Sequence, residues 1–124
     1  MSGGIAALLP VTEAALAARQ ADMARLAQEE ATLRRRLADL DAGATVELLL
    51  EDDAFLRAGA DPAWQAWVAA RRRAIGMELA RLRVRQADAR ARLSVAFGRR
   101  QAVATLALRE RARRRQLLDR RAGT

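Results

Sequence analysis

The residue types that could carry out covalent or acid–base chemistry are few in this chain and poorly placed for it. Its 124 residues include no histidine and no cysteine. That removes imidazole bases, thiol nucleophiles, disulfides and the usual zinc ligands together. Ser2 and Ser94 have no histidine or lysine to activate them. Acid pairs such as Asp52 and Asp53 are the remaining candidates for metal binding or proton transfer. Neighbours on a helix diverge by about 100°, so they make a poor site. No catalytic residue, metal or cofactor is expected, and the chain reads as a non-enzyme.

The chemistry that remains is recognition. The stretch FGRRQAVATLALRERARRR, residues 97–115, sets Val103, Leu106 and Leu108 among seven arginines. All basic residues in the chain are arginine, and they are unevenly spread. Residues 1–62 hold six arginines against eleven acids, net −5, and residues 63–124 hold seventeen against four, net +13, which together give the overall +8. Folded side by side, the halves attract one another and leave the second strongly positive.

Such a surface must be presented by long helices. The chain is 52% hydrophobic, but alanine supplies much of that and aromatic residues only 3%. A round core needs large side chains, whereas a pair of helices needs only a narrow seam. From Thr12 to Leu40 the apolar residues follow a heptad. One row reads Leu16, Met23, Glu30, Leu37 and the other Arg19, Leu26, Leu33, Leu40. DAGAT, residues 41–45, either ends this helix at Gly43, with Thr45 capping a new one, or softens a continuous one. The segment TVELLLEDDAFLRA, residues 45–58, spreads its apolar residues over more than one face and could form a short third helix. AGADPAW then offers Gly59 as a helix stop, Asp61 as an N-cap and Pro62 at the first helical position. Beyond it a stripe runs through Trp64, Val68, Ile75, Leu79, Leu82, Leu93, Phe97 and Leu108, with a period near 3.67.

The expected fold is all-α, a long two-helix antiparallel coiled-coil hairpin. Residues 1–10 form a flexible N-terminal segment, arm one spans 11–58, the turn 59–61 and arm two 62–121, with 122–124 as a tail. Folding at residue 60 sets Leu16 near Ala104 and Leu40 near Leu79 or Leu82, and leaves Glu110 to Arg121 unpaired. MSGGIAALLP has no arginine before its short apolar run, unlike a secretory signal, and no stretch approaches the ~20 apolar residues of a membrane span.

Several features carry two readings. Trp64 and Trp67 either close the seam against Phe55 or Leu56, or anchor a partner. The triplets at residues 34–36 and 71–73 wrap around a helix and read as solvated charge. Val103 and Leu106 fall off the stripe through Phe97 and Leu108, which marks either a drifting seam, a dimer contact or a second protein-binding side. A basic nucleic-acid-associated helical protein is one alternative function, favoured by the arginine excess. Against specific binding, the basic tail lacks aromatic residues for base stacking. A self-associating structural coiled coil is another.

In combination these features resemble the flagellar export protein FliJ family and its YscO-like type III secretion relatives. The resemblance rests on the heptad-bearing first helix, on DPAWQAWVAARRRAIGMELARLR (61–83) and on GRRQAVATLALRERARRRQLLDRR (98–121). It implies a cytoplasmic hairpin, peripheral to a membrane-embedded export apparatus. Such a hairpin inserts into the export ATPase hexamer, stimulates it, and contacts the export gate membrane protein and the export chaperones. It implies no membrane insertion. By this resemblance Arg99, Arg100, Val103, Leu106, Arg109, Arg113 and Arg114 meet the ATPase ring, and Phe55, Trp64 and Trp67 form a tip facing the gate. The chain is short for that family, its acidic break near Gly43 is unusual, and lysine is missing where the family often uses it.

Overall fold

A computed structural model describes the backbone of residues 4–50 and 54–123 and the side chains of residues 4–43 and 62–123. Among these residues the chain is helical apart from a turn at residues 4–7. Two long helices, α1 (Leu8–Leu50) and α2 (Ala54–Gly123), pack together, and there is no strand. No described helix is long and apolar enough to cross a membrane.

The helix ends differ from the expected ones. Ordered structure starts within the first ten residues: Leu8 and Leu9 donate their amides to the carbonyls of Ile5 and Ala6, and α1 begins at Leu8. Pro10 falls in the first turn, where its missing N–H leaves no bond unmade. At the other end α1 runs unbroken through Gly43 to Leu50. Gly43 lacks the positive φ that would mark a helix stop, and the alanines on either side offset its ~1 kcal/mol propensity cost. Nor is there a separate helix over 45–58. The turn expected at 59–61 is helical, and Pro62 lies inside α2. The Gly59–Pro62 punctuation competes with another signal just upstream, Glu51, Asp52 and Asp53, which are residue types favoured at a helix start.

The chain divides into two compact units, Met1–Met23 with Asp88–Thr124, and Ala24–Ala87. The second unit has the larger side chains in its core. Leu26 and Leu33 of α1 are buried, as are Val68, Ile75 and Leu82 of α2, with Leu82 only 2% exposed. Both α1 rows read from the sequence are turned inward. Polar contacts fix the pairing: Glu30 accepts from Gln86 Nε2 at 3.0 Å, Arg85 reaches Glu29 at 3.1 Å, and Arg72 Nε reaches Asp41 at 2.8 Å. As numbers rise on α1 they fall on α2. Leu40 shares a groove with Ile75 instead of standing by Leu79 or Leu82, so the register lies about one turn from that expected.

In the first unit the buried residues are small. Ala89 and Ala96 are the buried ones, with Leu9, Leu16, Leu93 and Val103 half-buried. Glu13 pairs with Arg100 here, where a fold at residue 60 would have brought Leu16 toward Ala104. Arg19 keeps its seam position because its guanidinium turns to Asp22 at 3.3 Å, while its stem lines a groove with Ala15 and Ala96. Along α2 the buried row is Val68, Ile75, Leu82, Ala89 and Ala96, a strict step of seven. The expected stripe through Phe97 and Leu108 is therefore overturned: they are 50% and 64% exposed. Phe97 is one residue past the inward position, which turns it about 100° away.

Two outcomes test this packing. Replacing Leu82 by Ala should cost roughly 2–5 kcal/mol in chemical denaturation, because the site is closed on all sides. The second concerns Glu30, whose carboxyl the Gln86 and Arg34 hydrogen bonds hold below the usual glutamate range. A lowered folded value favours the ionised form, so its stabilisation is present above the unfolded value of about 4.3 and is lost as pH falls through the folded value. Between about pH 6 and pH 3 the wild-type melting temperature should fall more steeply than that of Glu30→Gln.

Candidate functional site

The basic segment of α2 belongs to the first unit, and its residues divide between two sides of the helix. Val103 is half-buried on the seven-residue row that follows Ala96. Arg100 is also half-buried and pairs with Glu13 at 3.6 Å. Arg114 is half-buried too, and pairs within the helix with Glu110 at 3.6 Å. These three are occupied by the fold. Arg99, Leu106, Arg109 and Arg113 are exposed. Their steps of seven, three and four place them along one outer side. The seven residues expected to act together thus fall into two sets, of which only Arg99, Leu106, Arg109 and Arg113 are exposed. Val103, taken as lying off the inner stripe, lies on it.

Beyond Glu110 every described residue except Arg114 is exposed. Leu117 continues the inward row of Val103 and Glu110 by one more step of seven, yet it is 48% exposed, and its neighbour Leu118 is 63% exposed. The stretch expected to lie beyond the shorter helix is thus the exposed end of α2. Its arginines include Arg120 and Arg121 in the last turn, where positive charge favourably meets the helix dipole.

The second candidate lies in the Ala24–Ala87 unit. The Trp64 and Trp67 rings stack with centroids 5.1 Å apart and planes 22° from parallel. The Arg71 guanidinium carbon is 6.0 Å from the centre of the Trp67 ring, at the outer limit of a cation–π contact. Trp67 is 49% exposed, whereas Trp64 is half-buried, and its indole Nε1 is buried without an acceptor. Leaving such a donor unmatched costs roughly 1–3 kcal/mol. The pair borders an open groove of about 360 Å³ with Leu40, Gly43 and Ile75, which carries Arg36, Asp39 and Arg71 on its rim. Of the two tryptophans Trp64 is the more covered and Trp67 faces outward. Phe55, expected beside them, lies outside the residues whose side chains are described.

The sequence misses one surface signal. Met77 and Val84, a step of seven apart on α2, are 57% and 71% exposed. A search for a single inward stripe passes over them, although a second heptad phase picks them out.

No protein-family model, characterised protein or solved structure matches the chain.

Inner and outer sides of the basic segment separate by mutation. Val103→Ala should lower stability by roughly 1 kcal/mol. Leu106→Ala removes more atoms but should stay within about 0.5 kcal/mol, because its site is open and alanine favours the helix. Urea titrations followed by circular dichroism check the contrast.

Proposed function

We propose that the chain is an antiparallel coiled-coil hairpin that acts as a non-enzymatic stalk of a flagellar or type III protein export apparatus. In this reading it binds and stimulates the export ATPase ring through the C-terminal end of α2. It works in the cytoplasm, peripheral to the membrane-embedded machinery. The observation that carries the reading is the end of α2. Its heptad row continues through Glu110 to Leu117 where the helix is exposed, so the leucine pair Leu117 and Leu118, bordered by arginine, is left for another protein to cover. Arg99, Leu106, Arg109 and Arg113 extend that surface along one outer side. The arginine fork suits carboxylates on such a partner. A helical support limits the ordering cost of binding, which a disordered basic tail would incur in full.

The choice of an ATPase ring comes from the likeness of residues 61–83 and 98–121 to the FliJ family. By the same likeness Trp67, half exposed over its groove, is the contact toward the export gate. Export chaperones are further partners on this reading. The reversed order of the Asp41–Arg72, Glu29–Arg85 and Glu30–Gln86 contacts favours the antiparallel hairpin.

The test pairs the chain with the export ATPase of the same organism. Wild type should bind and raise ATP turnover, while a variant with Arg109 and Arg113 changed to Glu should bind roughly tenfold or more weakly and lose the stimulation. If wild type leaves the ATPase unbound and its turnover unchanged, the stalk reading is lost. A steep salt-dependent affinity for DNA in its place would favour the nucleic-acid alternative.

A further inference from the structure

The C-terminal part of α2 has a second seam on the side away from its buried row. Within the first unit, Ser94, Gly98, Gln101, Thr105 and Leu108 alternate steps of four and three, and all are exposed. None carries a charge, in a half of the chain that holds seventeen arginines. Steps of four and three keep residues on one face of a helix over many turns, which is the spacing another helix meets. A Cβ placed on Gly98 would touch nothing within 4 Å, so the middle of this face is open.

Large apolar side chains border it. Phe97 is 50% exposed, Val95 52% and Leu108 64%. Phe97 and Val95, two residues apart, flank the row on its two sides and Leu108 lies about three turns further on; exposed apolar side chains of this size mark interaction surfaces. Cations stand toward both ends, Arg90 at one and Arg109 and Arg111 at the other, all exposed. The nearest acid on the border, Asp88, pairs with Arg92 at 3.3 Å. The uncharged centre, flanked by exposed apolar side chains and ending in cations, points to an occupant that is apolar along its middle and acidic where it meets Arg90, Arg109 and Arg111.

We infer that this face, from Ala91 to Ala112, docks an acidic amphipathic α-helix of another protein. The small residues at Ser94 and Gly98 let a helix approach closely, Phe97 and Leu108 anchor its apolar side, and the bordering arginines meet its carboxylates. A second copy of α2 fits less well, since its arginines would meet their own kind. A nucleic acid would need charge along the centre of the face, where there is none. The inference shares Arg109 and Arg111 with the surface of the stalk reading. Its centre, Ser94, Gly98, Gln101, Thr105 and Leu108 with Phe97 beside it, is not used by that reading, so Phe97→Asp separates the two.

The test uses the full-length chain and three fluorescent synthetic peptides of about four heptads. One has a Leu/Ala seam flanked by Glu, one the same seam flanked by Lys, and one the first composition scrambled so that no seam forms. Anisotropy should show the Glu-flanked peptide bound at least tenfold more tightly than either of the others. Phe97→Asp should abolish that binding with helicity and melting temperature unchanged, and changing Arg90 and Arg111 to Glu should reverse the preference toward the Lys-flanked peptide. Changing Arg113 and Arg115 to Ala should leave it intact. Equal binding of the scrambled peptide, or loss only in the Arg113/Arg115 variant, would mean nonspecific attraction to the basic end and overturns the proposal. So does absence of binding, or a dimer in sedimentation that Phe97→Asp dissolves.

Discussion

A seam between two helices hides only two positions in seven, and everything else about this protein follows from that restriction. Among the described residues there is no third layer against which to bury a misplaced apolar group. What the seam does not cover is left to water or to a partner. The large core residues Leu26, Leu33, Val68, Ile75 and Leu82 are gathered in the Ala24–Ala87 unit. Around Ala89 and Ala96 the other unit has small residues and the aliphatic stem of Arg19. Its contacts are correspondingly thinner, since burial scales with the apolar area removed from water.

Polar residues on the seam supply what uniform leucine would lack, a reason to prefer one register. Glu30 and Gln86 both face inward and are hydrogen-bonded to one another. Sliding α2 by one turn would separate them and leave both beside apolar neighbours, a penalty of the kind that single polar seam residues impose in coiled coils. The outer ion pairs Glu29–Arg85 and Asp41–Arg72 agree with the same register. Being half exposed, they add little stability by themselves.

The two rows of α1 are legible from the sequence because leucine occupies most of them. On α2 size misleads. Phe97 and Leu108 are larger than Ala96 and Val103, so a reading that follows hydrophobicity drifts off the seven-residue row. A narrow seam selects by position, and alanine there is nearly silent in composition. Of the readings open for Val103, the drifting seam is the one that its half-buried position on the row after Ala96 fits. Helix ends were the other weak point, because the punctuation at Gly59–Pro62 outweighed acids at 51–53 that also suit a helix start. What could be read well was charge. The basic excess of the second half follows directly from where the arginines lie.

The tryptophan pair has a consequence for how this molecule can be observed. Trp64 and Trp67 are the only tryptophans, and the chain has no tyrosine. Both lie in the Ala24–Ala87 unit. Its intrinsic fluorescence is therefore a local gauge, sensitive to one unit and blind to the other, whereas far-ultraviolet dichroism sums the helices of both. A gap between the two signals on heating would measure how far the leucine-rich and alanine-rich parts of the seam melt as one cooperative body.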